Sequence, residues 1–320
     1  MKVVSIDRKS RVLTRAQFGC LKGAFTLNVT RGCDFQCVYC YARGYPDAPT
    51  DDIIYLYANL PERLQSELDN PRRRMTVDHV IFNTASDSFQ AHPDILDITF
   101  RTMKILLERN ISLSVLTKGW IPDRFIELFD RFSELITARI GLVSIAPRYR
   151  NVFEPGTATV AQRLSNIDRL KDIGVDVSVR IDPIIPFHTD DSDSIRNLFE
   201  ALSERQIATV ALSYLHLRPA IMTQLKKELP STAYQLLRSC FETRPWTKVG
   251  QATRSKLVPQ SLRQKGYQRF FDLAKFFGIQ PLICSCKNPD MPGQLCHTRT
   301  ARPSGNSPSH LRNPRQLSLF

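Results

Sequence analysis

The chain switches repeatedly between continuous apolar runs and segments in which apolar residues recur at helical spacing. The runs at 25–30, 77–84, 112–118, 138–145, 175–184 and 209–217 are rich in Val, Ile and Leu. Such runs fit parallel strands covered on both faces, where strict alternation is lost. Between them, 60–68, 93–108, 122–135, 160–173 and 192–205 each carry an apolar stripe suited to an amphipathic helix. Pro93 and Pro122 stand at helix starts, where a missing N–H costs little. Asn110 and Gly174 stand at helix ends, which favour left-handed backbone. Six strands alternating with helices predict an α/β fold of the partial (β/α)6 TIM-barrel type. Chemistry in such a barrel collects at the C-terminal ends of the strands.

This pattern places the barrel at 20–220, after an N-terminal extension at 1–19. A basic, Cys-containing extension is expected over 221–297. Beyond His297 the chain is rich in Arg, Pro, Ser and Asn, so 298–320 reads as a disordered tail.

Charge narrows the partners. The net charge is +13 over 320 residues, which favours a polyanion, nucleic acid before an anionic membrane. The stretch 243–271 has no acidic residue. It holds Arg244, Lys248, Arg254, Lys256, Arg263, Lys265 and Arg269, with Trp246 and Tyr267 among them. Cations interleaved with aromatics can neutralise phosphates and stack on bases; the alternative is a solvated basic face. Residues 1–15 hold no apolar run suited to a signal peptide, and no stretch approaches a transmembrane helix. Six of the eight cysteines fall in two tight clusters. That is metal-site rather than disulfide usage, and it implies a reducing, cytoplasmic setting.

The first cluster is the sharpest chemical signal. Cys33, Cys37 and Cys40 stand in a Cys-x3-Cys-x2-Cys run just after the first predicted strand. Three close thiolates can hold three irons of a 4Fe-4S cube and leave the fourth open to a small molecule. A structural zinc site would want four ligands in paired knuckles, and no fourth lies near.

This run resembles the radical S-adenosylmethionine (SAM) enzymes. The resemblance implies that SAM chelates the open iron and is cleaved reductively to methionine and a 5′-deoxyadenosyl radical. It also implies an external electron donor of the flavodoxin or ferredoxin type. Tyr39 and Tyr41 flank Cys40, and Ser86-Asp87, Thr117-Lys118, Ser144, Glu154-Pro155, Arg163 and 183–186 follow. Together these resemble the spore photoproduct lyase family, often described as DNA repair photolyase-like, over about 25–217. The resemblance implies that Ser86, Asp87, Lys118 and Ser144 line the SAM site, with Lys118 suited to the carboxylate and Asp87 to the ammonium. It makes Tyr39 and Tyr41 the candidate catalytic residues. Glu154 and Arg163 read equally well as a structural pair. The lyases carry a hydrogen-donating cysteine three residues before the aspartate that matches Asp87; here that position is Thr84. An alcohol O–H is too strong to replace a thiol as donor, so a different substrate or donor is expected.

The second cluster is Cys284-Ser285-Cys286 with Cys296-His297. It reads as a second iron–sulfur cluster first and a Cys3His zinc site second, with Cys20, Cys240 or His297 as a fourth ligand. The chain closes on Gln316-Leu317-Ser318-Leu319-Phe320. This resembles the pentapeptide by which bacterial repair proteins dock on the replication sliding clamp. The resemblance gives Gln316 the polar contact and Leu317, Leu319 and Phe320 the apolar anchors. The expectation is a cytoplasmic radical SAM enzyme that repairs or modifies DNA bases. An RNA-modifying enzyme and a non-enzymatic iron–sulfur DNA-binding or redox protein are the alternatives.

Overall fold

The computed structural model describes residues 1–293, apart from 18, 51, 73–75 and 250–252. Its framework is a run of parallel strands lying side by side in chain order. These are β1 (Phe25–Leu27), β2 (His79–Phe82), β3 (Ser112–Thr117), β4 (Ile136–Gly141), β5 (Asp176–Ile184), β6 (Thr209–Tyr214) and β7 (Gln280–Ile283). Each pairs in parallel with the next. Thr14–Arg15 adds an antiparallel edge beside β1. The connections carry α1 (Leu60–Leu68), α2 (Pro93–Glu108), α3 (Asp123–Arg131), α4 (Pro147–Phe153), α5 (Val160–Asp172) and α6 (Ser192–Ser203). After β6 come α7 (Pro219–Glu228), α8 (Ser231–Ser239) and α9 (Gln260–Phe277). This is the expected α/β partial barrel. Leu113, Val115, Ala138, Ile140, Val179, Ile181, Val210 and Leu212 are buried on one face of their strands, while their neighbours on the other face are mostly half-buried.

Local chemistry explains where the helices start. Thr159 and Gln162 form a reciprocal capping box at α5: the Gln162 N–H donates to Thr159 Oγ1 at 3.2 Å, and the Thr159 N–H donates to Gln162 Oε1 at 2.9 Å. Asp191 caps α6 by accepting from the Ser194 N–H at 2.9 Å.

Three expectations change. The apolar runs overshoot the strands, because their last residues turn into buried loops at the C-terminal rim; Leu142 and Val143 are buried past the end of β4. The segment 260–283 is not an appendage. It supplies α9 and β7, and β7 pairs with β6 as a seventh parallel strand. The basic stretch 243–271 is not one face. It splits into a hairpin of Thr247–Val249 with Thr253–Leu257 and most of α9. The N-terminal strand Lys2–Ile6 pairs with Ile53–Tyr57, which also pairs with Thr30–Arg31, so residues from 1–19 back the loop that bears the first cysteines. Among the described residues no helix is long and apolar enough to cross a membrane.

Candidate active site

Cys33, Cys37 and Cys40 lie on the loop that leaves β1, at the C-terminal rim where the barrel rule places chemistry. The loop is held from several sides. Gly32 has φ +90, and a Cβ there would stand 2.8 Å from Pro49 and 2.9 Å from the Ile53 carbonyl. A glycine is therefore required on both counts. Gly156 is constrained by space alone: a Cβ would meet the Asp34 carbonyl oxygen at 2.3 Å. This lets the segment after α4 lie against the cysteine loop, where the Gly156 N–H donates to Phe35 O at 3.1 Å and the Val38 N–H to Phe153 O at 3.1 Å.

Beneath the loop lies a buried ionic network. Arg163 Nη1 sits 2.6 Å from Glu154 Oε2, and both side chains are almost wholly inaccessible. Arg163 also donates to Gly141 O at 2.9 Å, to Ala158 O at 3.1 Å and to Thr157 Oγ1. The Tyr39 hydroxyl donates to the other oxygen of Glu154. Burial alone would raise the Glu154 carboxyl, but the charges of Arg163 and Lys118 hold it below the usual carboxylate range. The pair is thus a structural anchor for the residue between Cys37 and Cys40.

Tyr39 is buried, and burial together with Glu154 pushes its phenol well above the ordinary value. Its hydroxyl is committed to the anchor. Tyr41 differs: it is exposed at the rim, with the Arg218 guanidinium 5.2 Å from its ring centre. Its hydroxyl donates to the carbonyl of Thr84. Thr84, where the resemblance drawn from the sequence leads one to expect a hydrogen-donating cysteine, is therefore adjacent to Tyr41.

The SAM-site residues expected from the sequence lie on the loops that follow β2, β3 and β4. Ser86 Oγ accepts from Thr30 Oγ1 at 3.0 Å, tying the β2 loop to the β1 loop. Asp87 is buried and fully engaged. Its Oδ1 accepts from the Phe89 N–H at 2.9 Å and Thr117 Oγ1 at 2.7 Å, and its Oδ2 from the Lys118 N–H at 2.9 Å. Asp87 thus clamps the β2 and β3 loops together, a task that differs from receiving a free ammonium. Burial, opposed by these bonds, leaves its pKa raised. Lys118 extends over Gly141, where a Cβ would stand 2.7 Å from Lys118 Cγ, and its Nζ lies 5.7 Å from the Tyr39 ring centre. Ser144 is buried, and its Oγ accepts from the Ala146 N–H at 3.1 Å.

Gln90 is a site residue that no sequence pattern announces. It is buried, donates to Thr30 Oγ1 at 2.9 Å and to Asp87 O at 3.0 Å, and accepts from the Asp34 N–H at 3.0 Å. One amide thereby joins the cysteine loop to the Ser86-Asp87 loop. A glutamine before a helix carries no sequence signal for that task.

The donor set fits a cluster. Three sulfurs are offered by one loop, and burial, then the charge of Glu154, pushes the Cys37 thiol up to about 12. Burial, with Asp87 and Asp34 next, raises the Cys33 thiol well above its ordinary value. Thiols so placed stay protonated unless a metal takes up the thiolate charge.

The two tryptophan- and tyrosine-bearing basic patches are unequal. Arg263 is buried and donates to Val258 O at 2.9 Å, Asn288 Oδ1 at 2.7 Å and Asp290 Oδ2 at 2.5 Å. Tyr267 is buried against Tyr214. Neither is open to a nucleic acid, because both pack α9 onto the sheet. Lys256 donates to Phe241 O at 3.1 Å beneath the Trp246 ring. Lys248, Arg254, Lys265 and Arg269 are exposed. Cys296 and the motif of Gln316, Leu317, Leu319 and Phe320 lie outside the described residues.

A model of the radical SAM superfamily matches residues 27–201, more than half of the chain, and the chain belongs to that superfamily. An uncharacterized protein of Mycobacterium tuberculosis is 28% identical over 205 residues, covering 61% of this chain and 59% of that protein. A radical SAM Nalpha-GlyT isomerase of Pseudomonas phage M6 is 21% identical over 257 residues, covering 79% and 51%. The chain thus spans about three fifths of the length of the mycobacterial relatives it matches. Among solved structures, spore photoproduct lyase complexed with dinucleoside spore photoproduct superposes with a TM-score of 0.66 at 16% identity, covering 88% of this chain and 81% of that one. A radical SAM methyltransferase from Sphaerobacter thermophilus superposes with a TM-score of 0.51 at 15% identity, covering 81% and 66%. At these identities the likeness establishes the fold.

Proposed function

We propose that this protein is a radical SAM enzyme that repairs or modifies bases in DNA. One observation carries the enzymatic part of the reading. Cys33, Cys37 and Cys40 leave β1 on a loop that Gln90 and Ser86 tie to the β2 loop, while Lys118 and Ser144 follow β3 and β4 on the same rim. A non-enzymatic iron–sulfur protein has no need of that rim. A cluster held by the three cysteines, with SAM on its open iron, supplies reductive cleavage of the sulfonium. This chain's residues contribute the rest. Lys118 offers a point cation for the SAM carboxylate. The Glu154–Arg163 pair and Tyr39 fix the cysteine loop. Tyr41, beside Thr84, is the tyrosine placed to meet a substrate. The external electron comes from a flavodoxin- or ferredoxin-type donor.

Two observations support a nucleic-acid substrate. The hairpin after α8 sets Lys248 directly opposite Arg254, both exposed. Like charges opposed across strands destabilise a hairpin unless an anion lies on them. The lyase of the same fold was solved with a dinucleoside lesion bound. The tail motif, if docked on a sliding clamp, favours DNA over RNA.

The deciding experiment is anaerobic reconstitution with SAM and dithionite. The enzyme is then incubated with irradiated DNA, plain DNA or transfer RNA, and 5′-deoxyadenosine is followed by mass spectrometry. The expected result is formation that DNA stimulates and that a C33A/C37A/C40A variant abolishes. Stimulation by transfer RNA alone would move the substrate to RNA. Cleavage undiminished in the triple variant would overturn the assignment of the cluster.

A further inference from the structure

Cys284 and Cys286 follow β7, the last strand of the sheet, and Cys20 lies in the short 3-10 turn Gly19–Leu21 between Thr14–Arg15 and β1. In sequence they are far apart. In the fold they meet: Cys284 Sγ lies 2.9 Å from Cys286 Sγ, and Cys286 Sγ lies 3.7 Å from Cys20 Sγ. Among the described residues this is the one group of three metal-ligating side chains whose ligand atoms all close to within 4.8 Å of one another. Cys240, the other fourth-ligand candidate within the described residues, is elsewhere, with its sulfur directed at Leu236 O.

The backbone is shaped around this meeting. Gly19 has φ +51, and a Cβ there would sit 3.1 Å from Cys286 Sγ. The turn can approach the sulfur that closely because this position lacks a side chain and accepts a left-handed conformation. On the other side, the Asn288 side chain donates to Cys284 O at 2.9 Å, and the Lys287 N–H donates to the same carbonyl at 3.2 Å. Gly293 packs onto this turn, with room for no Cβ between it and Ile283 O at 2.8 Å or Ser285 N at 3.0 Å.

We infer that Cys20, Cys284 and Cys286 form a mononuclear metal site of the zinc-thiolate type, distinct from the cluster of the cysteine loop, which staples the two edges of the sheet. Sulfurs sharing one tetrahedral zinc stand ~3.8 Å apart, given Zn–S bonds of ~2.3 Å. Cys286 and Cys20, at 3.7 Å, stand at that spacing, and Cys284 and Cys286, at 2.9 Å, stand closer still. The thiolates of an iron–sulfur cube bind separate irons and stand further apart. The geometry therefore reverses the order suggested by the sequence, which put a second cluster before zinc. The three sulfurs leave one tetrahedral position, and Cys296 and His297, the residues that the sequence names for it, lie outside the described residues.

The topology says what the site does. The sheet runs from β7 at one edge to Thr14–Arg15 at the other. Cys284 and Cys286 come directly after the first edge, and Cys20 comes from the turn between the second edge and β1. An ion on all three joins the chain's first barrel hairpin to its last strand. Closing so long a loop restricts the unfolded chain most, and metal affinity then becomes folding free energy.

The test uses tag-free, full-length protein prepared anaerobically, with zinc, iron and sulfide measured together. The expected result is about one zinc per chain beside the iron of a single cube. A C284A/C286A variant should lose zinc at least tenfold and keep its iron, and C240A should keep both. Replacement of zinc by Co2+ should give thiolate-to-cobalt charge-transfer absorption in the wild type only. If C284A/C286A does not fold, chelation of the wild type serves instead: removal of zinc should lower Tm, and added zinc should restore it. Absence of both zinc and the cobalt band would overturn the site. So would iron and sulfide in excess of one cube that C284A/C286A removes, or a Cys284–Cys286 disulfide found by mass spectrometry of unreduced peptides.

Discussion

Arg163 lies 2.6 Å from Glu154 in a fully buried ion pair, and the free oxygen of that carboxylate receives the hydroxyl of Tyr39, between Cys37 and Cys40. A salt bridge that reads as ordinary in the sequence is thereby the floor of the cysteine loop. Removing one partner of a buried pair leaves an uncompensated charge and costs about 3–5 kcal/mol. Arg163→Met should therefore lower stability by about that amount in urea titrations. Glu154→Gln keeps the shape and a hydrogen-bond acceptor for Tyr39, but it strands the Arg163 charge, so it should cost a similar amount. If both changes prove neutral, the network does not support the loop.

Asp182 gives a pH dependence with a defined sign. Its carboxylate lies 2.8 Å from Arg180 and 2.5 Å from Lys287. Burial alone would raise it, but the two cations hold it well below the usual carboxylate range. A pKa depressed on folding contributes stability that is full above the unfolded value of ~3.9 and fades as pH falls toward the folded one. Asp182→Asn should thus cost roughly 1.5–3 kcal/mol at neutral pH. The gap in urea midpoint from the wild type should be constant above about pH 5 and narrow below it. A gap that widens with acid would contradict the sign.

Tyr41 and Tyr39 should separate in function. Tyr39 serves the anchor, and Tyr41 meets the rim beside Thr84. Tyr41→Phe should leave 5′-deoxyadenosine formation in place while product from the nucleic-acid substrate falls at least tenfold, a loss of about 1.4 kcal/mol or more in transition-state stabilisation. Tyr39→Phe should act mainly on stability. Equal product from Tyr41→Phe and the wild type would remove Tyr41 from the chemistry.

Nucleic-acid binding should respond to salt through exposed cations. Neutralising Lys248, Arg254 and Lys265 together should reduce the slope of log affinity against log salt by roughly 2–3. Arg263→Ala should instead unfold the α9 packing, because its guanidinium is buried on Asn288 and Asp290. A triple variant with an unchanged slope would put the binding surface elsewhere.

The clamp motif can be tested apart from catalysis. Deleting 316–320, or changing Leu319 and Phe320 to Ala, should abolish calorimetric binding to purified sliding clamp by removing the apolar anchors. SAM cleavage on short free oligonucleotides should stay within about twofold, because docking adds local concentration rather than active-site contacts. Clamp binding that survives the deletion would exclude the motif.

Periodicity and spacing determined much of this on their own. Parallel strands buried on both faces must be written as apolar runs, so the six-strand barrel was legible, and α1 and α2 begin and end where their Leu, Pro and Glu residues predict. The Cys33–Cys40 spacing is local chemistry and needed no fold. Other features depend on distance in space rather than in sequence. Arg263 and Tyr267 read as a nucleic-acid surface until α9 packed them inward. Cys20 and Cys240 are equal candidates for a fourth ligand in sequence, and only the sheet, which brings the turn of Cys20 to the end of β7, sets Cys20 and not Cys240 beside Cys286. Gln90 ties two loops that the sequence separates by 56 positions. Side-chain identity can announce what a residue is able to bind, but only tertiary packing decides which groups it meets and whether water reaches it.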